Sequence, residues 1–336
     1  NYVEGVGGAG ANLNGNGVAT LTVENCDFSA NKNNPITGMW FDISNGIGLF
    51  AGNFVSAALA SCTFTNNYPT GRASAGNRNG VTGVGAYIYK TTAVSFSECL
   101  FRGNRAVAPQ GSVVDVSGGV SSAAFTNCLF VGNQAGGGSY KGAGYGIVRV
   151  VLSSASAPCV VKNCTVAYNL TYNRSAFVVN AGTATVSDSM FFDNISSLAD
   201  YPCDFAAAGV DASATVGYSL FTADSDLSLG EVSDGTLSVT EGCLYKDPLF
   251  VTTADEFKTA VKASAIGHVS WTWPGFGVMD AFDVHVRRKS PAIDTGDPKS
   301  AYGREPSPNG LRVNLGTYGN TPEAALSPKG LMLIVR

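Results

Sequence analysis

Charge is scarce in this chain. Only 14% of its 336 residues are Asp, Glu, Lys or Arg, against roughly 25% in an ordinary globular protein. The balance is a net −4 with a pI near 5.2, and there is no Lys/Arg run, which excludes the basic footprint of a nucleic-acid binder or a polybasic membrane contact. Two histidines, His268 and His285, and eight cysteines without a CxxC pair supply no zinc-ligand pattern. No stretch approaches the roughly 18 consecutive apolar residues of a spanning helix, so no membrane span is expected in this segment. The start, "NYVEGVGGAGANLNGNG", lacks a basic stretch followed by an apolar one, so no secretory signal is expected within this segment. Its abrupt glycine-rich turns and the closing "GLMLIVR" are expected of a segment cut from a longer or processed polypeptide. Helical periodicity is also missing: "ADEFKTAVKASAIG" is the one good candidate for a short helix.

What the chain has is 45% hydrophobic residues, enough for a large core, with 41 glycines and abundant Ser, Thr and Asn in place of charge. It also has a repeat. "NCDFSAN" at 25 returns as "SCTFTNN" at 61, "ECLFRGN" at 98, "NCLFVGN" at 127 and "NCTVAYN" at 163, with weaker copies "DSMFFDN" at 188 and "YSLFTAD" at 218. Counted from Cys26, Cys62, Cys99, Cys128, Cys164, Ser189 and Ser219, the intervals are 36, 37, 29, 36, 25 and 30 residues. The motif is fixed and the inserts vary.

Three residues before each reference position stand Val23, Leu59, Phe96, Phe125, Val161, Val186 and Val216; five before stand Leu21, Ala57, Val94, Ala123, Cys159, Ala184 and Ala214; two after stand Phe28, Phe64, Phe101, Phe130, Val166, Phe191 and Phe221. Each half alternates with period two, the signature of a strand with one buried face. The phase slips by one between the halves, which a straight strand cannot accommodate and a bend at the preceding residue can. Those bend residues are mostly polar: Asn25, Ser61, Glu98, Asn127, Asn163, Asp188 and Tyr218. Asn31, Asn67, Asn104, Asn133, Asn169, Asn194 and Asp224 then close the second strand. With a leading strand before each pair ("GAYIYK" at 85, "GSVVDVS" at 111, "GYGIVRVVL" at 144, "SAFVVN" at 175), the pattern predicts an all-β solenoid of three parallel sheets. The coils are expected over 1–245, with terminal coils and a capping section over 246–336.

The stacked "NCxFxxN" coils resemble the right-handed parallel β-helix superfamily, pectate-lyase-like in architecture, and bacterial surface members such as the polymorphic outer-membrane proteins. "DPLF", "SPAIDTGDP" and "NGLRVNLGTYGNTPEA" look like the closing section of large secreted bacterial β-helix proteins. The resemblance implies a right-handed coil and an extracellular or cell-surface setting, and it leaves activity open, because this architecture carries enzymes, adhesins and passive stalks alike.

Stacked cysteines sit about 4.8 Å apart with parallel Cβ vectors, poorly placed for a disulfide, so the column is expected to stay reduced and buried. Cys203 and Cys243 lie outside that column in this reading, and a bond between them is left open. Asn163, Asn169, Asn173 and Asn194 fit N-x-[ST], but a hydrogen-bonded asparagine ladder is the preferred reading. A polar cap holding its own loops is likewise preferred for Asp294, Asp297, Arg312 and Asn314.

For chemistry, the outward positions of the leading strands offer Tyr87, Tyr89 and Lys90, then Asp115, then Arg149, joined by Tyr140, Lys141 and Tyr145 from the loop above. Tyr89, Asp115, Arg149 and Lys141 are the catalytic candidates, and Tyr87, Tyr140 and Tyr145 the substrate-binding ones. One acid argues against a glycosidase, which needs two or three. Lys, Arg and Tyr suit elimination on a uronic-acid polysaccharide, with Ca2+ as the cofactor such a lyase would use, or simple sugar binding. The expected function is a structural, adhesive or glycan-binding surface module, with the lyase as alternative. A polysaccharide or cell-surface component is the expected partner, and self-association into a homo-oligomer or filament a further one.

Overall fold

The structure is a computed structural model that describes residues 2–4, 10–34, 45–69, 82–107, 111–136, 145–197, 202–222 and 225–328. Every strand pairing within the sheets is parallel, and partners come from successive copies of the repeat, so the chain winds as a parallel β-helix.

Each coil opens in a leading sheet that stacks Ala11–Asn14, Leu49–Gly52, Ala86–Tyr89, Ser112–Val120, Gly146–Leu152, the first part of Phe177–Ser187, Phe205–Ala208 and Leu229–Val232. A middle sheet stacks Thr20–Glu24, Ser56–Ala60, Ala93–Ser97, Ser122–Thr126, Pro158–Lys162, the last part of Phe177–Ser187, Ala212–Val216 and Thr236–Val239. A third runs from Asp27–Ser29 through Thr63–Thr65, Leu100–Arg102, Leu129–Val131, Thr165–Ala167, Met190–Phe192 and Leu220–Phe221 to Leu244–Tyr245. Beyond the three expected sheets, short strands directly after the asparagines form additional ladders, Tyr2–Glu4 with Lys32–Asn34 and Tyr68–Pro69, and Arg105–Ala106 with Gln134–Ala135, Leu170–Thr171 and Ile195–Ser196.

The phase slip has a definite backbone cause. The residue before each reference position adopts the left-handed conformation in all seven copies, with φ between 42° and 53°. That turns the chain so that the third residue before and the reference residue itself both face inward. A second left-handed residue precedes each asparagine: Ala30, Asn66, Gly103, Gly132, Tyr168 and Asp193, with φ from 49° to 64°. Non-glycine residues there carry a conformational cost of roughly 1 kcal/mol or more, offset by the stacking that follows. Phe28, Phe64, Phe101 and Phe130 stack face to face at 4.9, 4.6 and 4.9 Å within 8° of parallel, and Phe96 stacks on Phe125 at 5.1 Å in the middle sheet.

Beside them runs the asparagine ladder. Oδ1 of Asn67 accepts from the backbone N–H and from Nδ2 of Asn31 at 3.0 and 2.9 Å, while its own Nδ2 donates to the Phe28 carbonyl at 2.7 Å and to Asn104 at 2.9 Å. The pattern repeats through Asn104, Asn133 and Asn169 to Asn194. Asn163, Asn169, Asn173 and Asn194 are all buried, which leaves the sequon matches without an exposed amide. Asp224 lies outside the described residues; the ladder ends instead on Asp204, which accepts from Asn194 Nδ2 at 2.7 Å.

All eight cysteines are free. Cys243 stands in the column: Leu220 pairs with Leu244 and Phe221 with Tyr245, so Cys243 follows Ser219 as an eighth copy. The sequence hides it because Val216 pairs with Val239, leaving one extra residue in the bend before Cys243. Cys203 precedes the strand Phe205–Ala208 on another side, so the two are not partners.

The C-terminal section covers a flank of the coils. The expected helix is present as Ala254–Val261, started by a capping box between Thr253 and Glu256, and a second short helix covers Phe276–Asp280. Phe257, Val261, Met279, Phe282 and Leu315 pack on Leu129, Val131, Met190, Phe192 and Leu220, forming a second core outside the solenoid. These partners are the outward positions of the third sheet. Polar contacts continue the seam: Tyr168 Oη donates to the Thr252 carbonyl at 2.6 Å, and Asn127 Nδ2 to the carbonyls of Thr317 and Gly319 at 2.9 and 2.8 Å.

Candidate functional site

The predicted site lies on the outward face of the leading sheet, and its register can be read directly. Phe50, Tyr87, Asp115, Arg149 and Val178 occupy one row across neighbouring coils. Tyr87, rather than Tyr89, is therefore the cross-strand neighbour of Asp115. Tyr89 pairs with Ser117 and Gly52, one outward position further along. Tyr140 and Lys141 lie outside the described residues.

Asp115 is fully buried, and Arg149 Nη1 donates to its Oδ2 at 3.0 Å. The guanidinium also sits over the Tyr145 ring at 3.9 Å. Arg149 thus spends its charge inside the protein on a carboxylate and an aromatic face, poorly placed to neutralise a substrate carboxylate or act as a base. Asp115 is the patch's one described carboxylate and Arg149 already occupies it, an arrangement that does not fit a Ca2+ site. Among the described residues no three His, Cys, Asp or Glu side chains group as metal ligands.

The aromatic part of the patch is half-buried. Phe50 meets Tyr87 edge to face at 5.6 Å, and Tyr87 lies 5.7 Å from Tyr89. Gly118, with φ of 80°, permits this: a Cβ there would lie 2.3 Å from the Tyr89 ring. The glycine belongs to an irregularity between Val116 and Val120, where Ser112–Val120 shifts register against its neighbour. Lys90 Nζ lies 5.2 Å from the Tyr89 ring centroid. Burial pushes the Tyr87 phenol up to about 12, so it is neutral and not a base at physiological pH.

A second concavity was not anticipated. The third sheet and the C-terminal section enclose a cleft of about 420 Å3 that includes Ser61, Thr63, Glu98, Arg102, Tyr318 and Glu323. Its one sequence signal was the outward row of the third sheet, where "LFV", "TVA" and "MFF" replace the alternating "TFT". A strand apolar on both faces is covered on both.

The other residues weighed in the sequence hold loops. Asp294 Oδ1 accepts from the Gly310 N–H at 2.8 Å, Asp297 Oδ1 from the Lys299 N–H at 2.8 Å, and Arg312 Nε donates to the Gly296 carbonyl at 2.8 Å. Asn314 Oδ1 accepts from the Asp294 N–H and its Nδ2 donates to the Ala325 carbonyl, at 2.8 and 2.7 Å. His285 pairs with Asp283 at 2.7 Å and stacks on Tyr318 at 4.0 Å. His268 forms a bridge with Ser196.

The fold and the cluster of outward aromatics define a parallel β-helix with a half-exposed ring platform. No protein-family model, curated protein or solved structure matches the chain. No described helix is long and apolar enough to cross a membrane.

Proposed function

We propose that this chain is an extracellular or cell-surface β-helix module that binds glycan through the leading-sheet platform without transforming it. The observation that carries the reading is the contiguous, half-exposed cluster of Phe50, Tyr87 and Tyr89, set on rigid strands beside a self-neutralised Arg149–Asp115 pair. Rings fixed on a sheet present flat apolar faces at little entropic cost, the surface that the C–H faces of a sugar pack against. The resemblance to pectate-lyase-like and outer-membrane β-helices supports the setting, and the low charge content agrees with it. Affinity electrophoresis through gels containing neutral or acidic polysaccharides tests the reading. Retardation by at least one polymer, lost in Tyr87→Ala and Tyr89→Ala, is expected. A rise in absorbance from unsaturated products, abolished by Arg149→Ala, would replace it with a lyase.

Self-association is a second reading. Among the described residues, the first and last coils carry strand edges with no strand partner in the leading, middle and third sheets, a template for end-to-end pairing. Exposed Glu24 and Asp27 at one end and Glu231 and Glu241 at the other oppose it by like charge. Filaments in electron micrographs at high salt but not at low salt are what this reading expects; single particles at every salt concentration count against it.

A further inference from the structure

The cleft on the third sheet is a different place from the aromatic platform, and its charges are arranged differently. One wall is the bend edge of the second and third coils, with Ser61, Thr63 and Arg102; the facing wall is the C-terminal section, with Tyr318 and Thr321. At about 420 Å3 it has the size of a small-molecule site.

Three cations at the sheets are matched by a carboxylate. Arg149 has Asp115 at 3.0 Å, Lys162 has Asp188 at 3.7 Å and Arg304 has Glu98 at 3.2 Å. Arg102 is not. Its Nη1 donates to the backbone carbonyl of Asp280 at 2.6 Å, a neutral dipole. Its Nε is buried without a hydrogen-bond partner, and no carboxylate among the described residues lies within ion-pairing distance of it. Asp283, the acid whose field reaches it, is held by the His285 ring and backbone N–H at 2.7 and 2.9 Å. Two acids also line the cleft, Glu98, which is paired with Arg304 at 3.2 Å, and Glu323, but neither ion-pairs with Arg102. The half-buried Arg102 guanidinium favours an incoming oxyanion because the protein has already borne much of the desolvation cost. Around it stand the hydroxyl side chains Ser61, Thr63 and Thr321, which bond to ligand hydroxyls as donors or acceptors. Tyr318 supplies a ring held in place by its stack on His285.

We propose that this cleft binds a small hydroxylated oxyanion, its carboxylate or phosphate on Arg102 and its hydroxyls on the serine and threonine side chains. The inference does not rest on the leading-sheet platform, which can fail its own test and leave this one standing. Isothermal titration calorimetry on the full chain, with gluconate, glycerol phosphate and neutral glucose as probes, decides it. Gluconate, glycerol phosphate or both should bind on the order of tenfold or more tightly than glucose, with affinity falling as salt rises; which of the two binds identifies the source of the oxyanion. Arg102→Gln should remove that preference. Because this substitution also touches the Asp280 contact, Thr63→Trp provides a second test: it fills the cleft from an outward strand position that tolerates an aromatic and leaves Arg102 intact. Binding should be lost in Thr63→Trp while its thermal transition matches the parent. Equal binding of glucose, no binding of either acid at about 10 mM, or unchanged affinity in a folded variant of either kind would overturn the proposal.

Discussion

Asn194 Nδ2 donates to Asp204 Oδ1 at 2.7 Å, so the last amide of the ladder ends on a carboxylate supplied by the residue just before the next leading strand. Every earlier rung gives its backbone N–H and one Nδ2–H to the amide oxygen of the following coil; at this rung a carboxylate takes the Nδ2–H. Asp204→Ala should strip the acceptor from a buried amide and cost about 2–3 kcal/mol in urea unfolding. Asp204→Asn retains an acceptor and should cost less than half as much. Equal loss in both variants would mean that the bond is incidental.

Burial pushes two carboxyls up at this end of the solenoid, Asp204 to about 6 and Asp193 to about 8, each raised mainly by loss of solvent. An unfolded Asp titrates near 4. Between that value and its native value each group holds its proton only when folded, so the stabilisation each contributes is fully present below about pH 4 and is lost as pH rises. The Asp204 contribution is lost by about pH 6 and the Asp193 contribution by about pH 8. Asp193 Oδ2 has no hydrogen-bond partner, which makes Asp193→Asn the clean test: it should raise the thermal midpoint at pH 8 and flatten its decline between pH 6 and 8. A midpoint unchanged at pH 8 contradicts the assignment.

The buried cysteines should be chemically silent. Cys159 and Cys203 are driven up to about 12 by burial, and Cys99 to about 12 chiefly by the neighbouring Cys128 thiol, so thiolate is scarce at neutral pH. A thiol reagent should label at most the half-buried Cys26 and Cys243 in the folded protein and all eight cysteines in denaturant. Ser189 and Ser219 already fill column positions, each donating to the carbonyl two residues back at 2.8 and 2.9 Å, as Cys164 does through sulfur at 3.4 Å. Cys164→Ser should therefore cost under about 1 kcal/mol, and Cys164→Ala somewhat more through the cavity it leaves.

Ala30 occupies the second left-handed position of its coil at φ 52°, where Gly103 and Gly132 stand in later coils. Ala30→Gly should stabilise the protein by up to about 1 kcal/mol by removing the Cβ penalty. Gly103→Ala should do the opposite, because its Cβ would meet Asn66 Oδ1 at 2.3 Å. Paired denaturation curves that move in the same direction would refute this account of the bend.

Much of the solenoid was readable because short-range rules wrote it: apolar alternation, the slip at Cys26 and its relatives, and the aromatic two residues on all survive in the register. Three features were hidden for physical reasons. Cys243 escaped because a single added residue breaks a spacing pattern while leaving the strand pairing intact. The two-residue ladder after each asparagine is too short to show periodicity. The alignment of Tyr87, not Tyr89, with Asp115 depends on loops of unequal length and on the shift between Val116 and Val120, which no local pattern reports. The cleft around Arg102 needs residues about two hundred positions apart, and only the unexpected apolar pairs Leu129 with Val131 and Met190 with Phe192 announced that something would cover them.

The rungs Asn31, Asn67, Asn104, Asn133, Asn169 and Asn194 keep one hydrogen-bond pattern although the chain between them varies from 25 to 37 residues. Vertical spacing is thus set by the amides and is indifferent to contour length, much as a zip fastener closes whatever the width of the cloth on either side. Whole coils can be gained, dropped or exchanged between chains at matching rungs. Selection can then lengthen or recolour one loop without disturbing the coil above or below it.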